Sequence, residues 1–317
     1  MFFFKKRKKV QTQQQPSEPA PESLCVTTVL TSEQTSILDI ANLQGIGQRE
    51  QQQDAFGISP ADRYETDGIL AVLCDGMGGM AEGQRIAIQT VSCLLNHFPF
   101  PEPQTKAVSE LIFTCTRKIY QQFYGHGGCT LVAAWISGNQ LHFWSVGDSD
   151  LFLLREHQLY ALNTRQEFQK DLLLRSFHGA FPIEEAFSDP QAGALSQYIG
   201  KEEVTPDRTY IPLSLFPGDV LLLCSDGISD PLTLKQIREA MELPVQDCCS
   251  TLEAAIRKAA LPTQDNYTAI VLHYYGERRI PNENQTNLFQ TADRPCADPD
   301  RRCLIHFRHH RADQKLL

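Results

Sequence analysis

With 317 residues the chain has room for one large domain or two modest ones. Its hydrophobic share of 42% and charged share of 21% are those of an ordinary globular protein, and no apolar run approaches the roughly 20 residues a membrane helix needs. A formal net charge of −9 argues against a nucleic-acid protein, because a phosphate backbone repels a surface that lacks a strong basic patch.

The chain opens with Phe2, Phe3 and Phe4 before five consecutive basic residues, and then turns Gln/Pro/Ser/Glu-rich to about residue 22. Such a composition cannot bury enough apolar surface to form a core, so residues 1–22 read as a flexible tail. Aromatics beside a basic cluster could touch an anionic membrane, but a solvated tail is the preferred reading. The charge follows the aromatics instead of preceding a longer apolar stretch, which is not the order of a signal peptide. Several of the ten cysteines (Cys74, Cys93, Cys129, Cys224) lie inside apolar segments, where a free thiol behaves as a small hydrophobe. Together these features point to a reducing cytoplasm.

Residues 68–74 form a short apolar run of strand type. After it, Ala87, Val91, Leu94, Leu95 and Phe98 recur at helical spacing, and Val108, Leu111, Ile112, Cys115, Ile119 and Phe123 form a second amphipathic stripe. Residues 129–136 and 141–146 flank Ser137-Gly138-Asn139-Gln140, a hairpin signature. Residues 151–154 and 158–162 look like another strand pair, and residues 220–224 a buried strand. Helices are predicted over 234–241 and 249–259, and a last alternating strand over 267–273. Clustered hairpins with helices in separate blocks suggest antiparallel sheets covered by helices in one domain, residues 23–275, and not a doubly wound parallel sheet. From residue 276 a second tail follows. Its Cys296, Cys303, His306, His309 and His310 are zinc-ligand residue types, but their spacing fits no zinc module.

The aspartates carry the chemistry. Asp75 follows ILAVLC and precedes Gly76-Met77-Gly78-Gly79; Asp148 follows LHFWSV within Gly147-Asp148-Ser149; Asp226 follows VLLLCS and precedes Gly227; Asp265-Asn266 precedes the last strand. In each case an apolar strand delivers a carboxylate to its end, often beside a glycine that lets the backbone turn sharply. One such Asp is usually a turn former or helix cap. Four that converge would need hard divalent cations to neutralise them. Oxygen-only donors select Mg²⁺ or Mn²⁺, no histidine pair suggests zinc, and two such ions suit hydrolysis of a phosphate ester.

DGMGG at 75–79, GDS at 147–149, SDG at 225–227 and DN at 265–266 resemble, in order and spacing, the motifs of the PP2C (PPM) serine/threonine phosphatases. Upstream, Arg49 to Asp54 looks like that family's R-x-x-N-[QE]-D segment with Gln52 in place of Asn, and GGCT at 127–130 is similar to its G-T-T. The resemblance implies an α+β fold, a four-layer α/β/β/α sandwich of two antiparallel sheets flanked by helices. It implies metal-dependent hydrolysis of phosphoserine and phosphothreonine in proteins by a metal-activated water, opposing a Ser/Thr protein kinase. Asp75 would bridge two Mn²⁺ or Mg²⁺ ions, the Gly76 carbonyl would ligate one, and Asp226 and Asp265 would complete the other. Asp148 would hold a third ion, Asp54 would act in the outer shell, and Arg49 would grip the substrate phosphate, a task that suits a forked guanidinium. For Arg49 the plainer reading is a surface salt bridge.

Three departures stand out. The family usually has Arg after GDS, where this chain has Asp150; that extra charge could strengthen metal binding or be a surface charge. Relatives commonly read L-T-x-D-H where this chain has Leu162-Asn163-Thr164-Arg165-Gln166, and residues 165–195, where the family carries a flap, resemble nothing specific. Position 77 is Met, as in many bacterial members, where some relatives have a candidate general-acid His. A catalytically silent binding protein on the same fold, or a phosphatase for a small phosphorylated metabolite, are the competing readings; retention of Asp75, Asp226 and Asp265 favours catalysis.

Overall fold

The computed structural model describes residues 31–34, 37–77, 82–101 and 104–276. Both predicted tails, with the FFFKKRKK opening and the Cys/His residues near the C-terminus, lie largely or wholly outside the described residues, as do Gly78 and Gly79. In chain order the first elements are β1 (Thr31–Gln34), β2 (Leu38–Gly45), β3 (Ala55–Ile58), a single helical turn α1 (Tyr64–Asp67) and β4 (Ile69–Cys74). Helices α2 (Gly83–Asn96) and α3 (Gln104–Phe123) precede four strands, β5 (Leu131–Ser137), β6 (Gln140–Val146), β7 (Asp150–Arg155) and β8 (Gln158–Ala161). Then come α4 (Phe168–Phe177), α5 (Ile183–Ser188), and the two-residue strands β9 (Asp207–Arg208) and β10 (Leu213–Ser214). The chain finishes with β11 (Val220–Cys224), α6 (Asp226–Ser229), α7 (Leu234–Met241), α8 (Val245–Ala259) and β12 (Tyr267–Tyr274).

Among the described residues the strands form two sheets, all pairs antiparallel. One runs β1-β2-β12-β11-β7-β8 and the other β10-β6-β5-β4-β3, with β9 also on β6. Strand alternation explains how they stack. On β11, Leu221 and Leu223 join the core between the sheets, while Val220, Leu222 and Cys224 face α6, α7 and α8. On β4, Ile69, Ala71 and Leu73 face inward, and Leu70, Val72 and Cys74 pack on α2 and α3. Each central strand is thus buried on both faces and reads as an unbroken apolar run. Three apolar layers separate four structural ones, which is the α/β/β/α sandwich expected.

The helices close these layers by periodicity. On α8, Val245, Cys248, Cys249, Leu252 and Ile256 form one buried stripe, and α7 starts on a capping box between Thr233 and Gln236. The predicted helix over 249–259 begins one turn earlier, at Val245 behind Pro244, because proline suits a helix start. The described cysteines are free thiols, nearly all buried. No described helix is long and apolar enough to cross a membrane.

Register places the functional end. Cys224 stands opposite Ala269 and Asp150 in one sheet, and Cys74 opposite Ala55 in the other, with Leu131 opposite Val146 beside them. The residues just beyond these pairs include Asp54, Asp75, Asp148, Asp226 and Asp265. Antiparallel pairing therefore brings all five to the same end of the sandwich.

Leu223 is fully buried between the sheets on a central strand. Leu223→Ala should destabilise the fold by about 2–5 kcal/mol, the lost transfer energy plus a cavity. Urea denaturation should show a lower midpoint at an unchanged slope; a midpoint equal to the parent's would contradict the inter-sheet placement.

Candidate active site

Asp75 leaves β4 at its buried end, and its backbone N–H donates to Thr130 Oγ1 at 2.9 Å; that hydroxyl lies 2.7 Å from Ser149 Oγ in the GDS turn. The turn needs Gly147, whose φ of +102° is left-handed and whose missing side chain would press on Thr130. A Cβ on Gly227 would lie 1.9 Å from the Asn266 carbonyl oxygen, so the SDG segment packs directly on the DN segment. Gln264 reinforces that contact, donating from Nε2 to the Gly227 carbonyl at 2.8 Å. Gly76 also packs closely on the Gln53 carbonyl, which a Cβ would approach to 2.5 Å, and pairs with Cys129. Its backbone is thereby fixed beside Asp75.

The Arg49-to-Asp54 segment is pinned from both sides. Asn266 Oδ1 accepts from the Gln53 N–H at 2.8 Å, and Asn266 Nδ2 donates to the Ile46 carbonyl at 2.9 Å. Gln52, the departure from the family's Asn, is buried; it donates to the Gly45 carbonyl at 3.0 Å and accepts from the Asp54 N–H at 2.9 Å. Asp54 Oδ2 accepts from Thr268 Oγ1 at 2.7 Å and from Ser225 Oγ at 3.0 Å.

The five carboxylates feel one another. Burial pushes the Asp54 carboxyl up to about 7, against the lowering hydrogen bonds from Thr268 and Ser225, with Asp226 and Asp265 adding repulsion. Burial likewise raises Asp75 well above the usual carboxylate range, and Asp54, Asp226 and Asp148 raise it further. Asp148 is pushed up to about 7, by burial first and by Asp226 next, with the Arg165 guanidinium pulling the other way. Asp226 is raised by burial first and then by Asp230 and Asp265, while Asp75 pulls the other way.

This donor set fits hard cations. Asp54 Oδ1 and Asp226 Oδ1 are buried and have no hydrogen-bond partner, a costly condition that a cation or its water would relieve. Among the described residues no three acidic, histidine or cysteine side chains are already drawn into one coordination sphere. Arg49, half exposed, pairs with Asp265 through Nη2–Oδ2 at 2.5 Å, which corresponds to the salt-bridge reading of this residue. Asp150 is not a surface charge: it is buried in an ion pair with Arg165 at 2.7 Å. Thr268 and Gln264 lie outside the motifs, and isolated Thr and Gln residues carry no sequence signal that marks them as supporting groups.

The raised carboxylates fix the sign of a pH effect. Between 3.8 and about 7 the folded chain holds a proton on Asp54 that the unfolded chain has released, so this contribution to stability is lost as pH rises through about 7. In chelator, the unfolding midpoint should fall more steeply from about pH 5 to about pH 8 in the parent than in Asp54→Asn, and Mn²⁺ at the upper pH should reverse the fall. Identical pH slopes in parent and variant would count against the raised value.

Residues 45–264 match the family described as protein phosphatase 2C. The serine/threonine protein phosphatase PstP of Mycobacterium tuberculosis is 32% identical over 213 residues, covering 64% of this chain; the chain spans only 40% of PstP's length. The protein phosphatase PhpP of Streptococcus pneumoniae is 28% identical over 229 residues, 68% of this chain and 89% of PhpP. Among solved structures, the catalytic domain of the serine/threonine protein phosphatase PstP in complex with two manganese ions superposes with a TM-score of 0.60 at 25% identity, over 75% of this chain and 99% of that one. The aspartates at the strand ends, the sandwich that gathers them and the match along most of its length agree: the chain belongs to the protein phosphatase 2C family.

Proposed function

We propose that this chain is a cytoplasmic, metal-dependent phosphatase that hydrolyses phosphoserine and phosphothreonine in proteins and opposes a Ser/Thr protein kinase. The observation that carries this reading is the gathering of five aspartates at one end of the sandwich, two of them with a buried oxygen that no protein group satisfies. Asp75, the Gly76 carbonyl, Asp226 and Asp265 would hold two Mn²⁺ or Mg²⁺ ions, with Asp148 at a third. Bound there, the ions would supply an activated water and neutralise charge on the phosphoryl oxygens.

The chain's own residues supply the positioning. Asp54 is anchored through Oδ2 by Thr268 and Ser225, which leaves Oδ1 free to accept from ordered water, an outer-shell role. Arg49 stands at the exposed rim, where its planar fork suits two phosphate oxygens. A cation drawing on the Asp265 carboxylate would weaken its hold on Arg49. With Asp265 engaged in ligation, the guanidinium is released toward the substrate phosphate. Met77 offers no proton, so the leaving serine or threonine oxygen would take its proton from water or from the third site.

The purified protein should release phosphate from a phosphothreonine peptide with Mn²⁺ or Mg²⁺ and not with chelator; no release with any metal from folded protein would reject the proposal. Asp226→Asn removes ligand charge at nearly constant volume, and its turnover should fall by about a thousandfold or more while the fold persists. Full activity in that variant would remove Asp226 from the ligand set. Arg49→Ala should raise KM about tenfold with a smaller change in kcat, the loss of a charge-assisted contact. An unchanged KM would reject its phosphate role.

A further inference from the structure

Two departures from the family's motifs are one exchange: an acid, Asp150, stands where the motif has a base, and a base, Arg165, stands where the motif has an acid. In the fold the two meet. Arg165 forks onto Asp150, Nε to Oδ1 at 3.1 Å and Nη2 to Oδ2 at 2.7 Å. The same guanidinium reaches Asp230 Oδ1 through Nη1 at 2.9 Å and Ser229 Oγ through Nη2 at 2.7 Å. Asp150 is 7% exposed, so the pair is shielded, unlike the rim contact to Asp230.

Three segments converge on that guanidinium. Asp150 opens β7, two residues after Asp148. Ser229 and Asp230 close the short helix that starts with Asp226. Arg165 stands at the root of the flap, where Gln166 adds a second clamp: its N–H donates to the Gly147 carbonyl at 2.9 Å, and its Oε1 accepts from the Gly147 N–H at 3.0 Å. Beyond this root the flap has a small apolar cluster of its own, Leu172, Ala186 and Ala192 under Phe168, Leu173 and Phe181. A unit with its own core takes its orientation from its root.

We propose that Arg165 is a positioning residue: forked on Asp150 and bonded to Ser229 and Asp230, it locks the root of the flap and the helix bearing Asp226 into one register. This chain does so with the charges reversed relative to the family's motifs. Only the kinetic half of the inference rests on the phosphatase reading, since the flap's protection can be measured without turnover.

The test is limited chymotrypsin digestion of the full chain, whose flap offers the exposed Phe177 and Phe187, alongside phosphothreonine-peptide kinetics. The variants are Arg165→Asp, Asp150→Arg, the double exchange, and Arg165→Lys, which keeps the charge and so guards against a variant that does not fold. Each single variant should raise cleavage within residues 166–195 by about tenfold, the loss of one charge-assisted hydrogen bond, while cutting elsewhere stays at the parent rate. The double exchange restores an ion pair between positions 150 and 165 but not the contacts to Ser229 and Asp230, so cleavage should fall at least about threefold below the worse single variant, with kcat/KM recovering in parallel. Parental cleavage in all single variants would overturn the proposal. So would cleavage raised equally along the whole chain, as a merely structural role predicts, or a double exchange no better than its worse parent. Flap protection that falls and recovers as expected in a protein inactive on the peptide would uphold the clamp and defeat the phosphatase reading.

Discussion

Five carboxylates brought to one buried end of a sandwich repel one another, and the structure around them is arranged as an answer to that repulsion. Thr130 and Ser149 fix the turns on either side, Thr268 and Ser225 donate to Asp54, and Asn266 ties the Arg49 segment to the last strand. These bonds are outweighed. At Asp54 two hydrogen bonds lower the pKa, yet burial and neighbouring acids carry it to about 7. The protein by itself therefore holds the site partly protonated, with oxygens unsatisfied.

Legibility from sequence followed a physical divide. Asp75, Asp148, Asp226 and Asp265 could be read because each ends a buried apolar run, and such runs are strands of obvious period. The β2 strand could not. Its sequence LDIANLQG intersperses Asp39, Asn42 and Gln44 among apolar residues, yet all eight positions are buried. Gln44 is accommodated because its amide donates to the Asp54 carbonyl and to Thr268, and Tyr275 donates to Asp39. Those partners lie up to 236 residues away, beyond any local pattern. The same holds for the segment from 165 to 195, whose two helices stand over a cluster too small to impose a clear apolar stripe.

Asp150 shows why a residue type out of place is a poor guide taken singly. Read alone, an extra acid beside an acidic site admits a metal-binding role or none. Its meaning lies in Arg165, and the pairing becomes visible only when β7 and the strand that follows fold back as a hairpin. Two unexplained departures then become one ion pair, with Coulomb attraction indifferent to which partner carries which sign.

The pairing of β2 with β12 has a further consequence. It joins the first well-packed strand to the last, Leu38 opposite Tyr274 and Gly45 opposite Tyr267, and it is the contact that sets Asp54 beside Thr268 and Asp265. Nothing earlier in the chain can substitute for that last strand. During synthesis, therefore, a ribosome that has translated as far as Asp226 carries a chain with the apolar layers of one sheet available but the acidic cluster still open. Asp265, which adds to the repulsion on Asp54 and Asp226, joins the cluster only with that final strand, so the full acidic end is completed after most of the apolar burial is available.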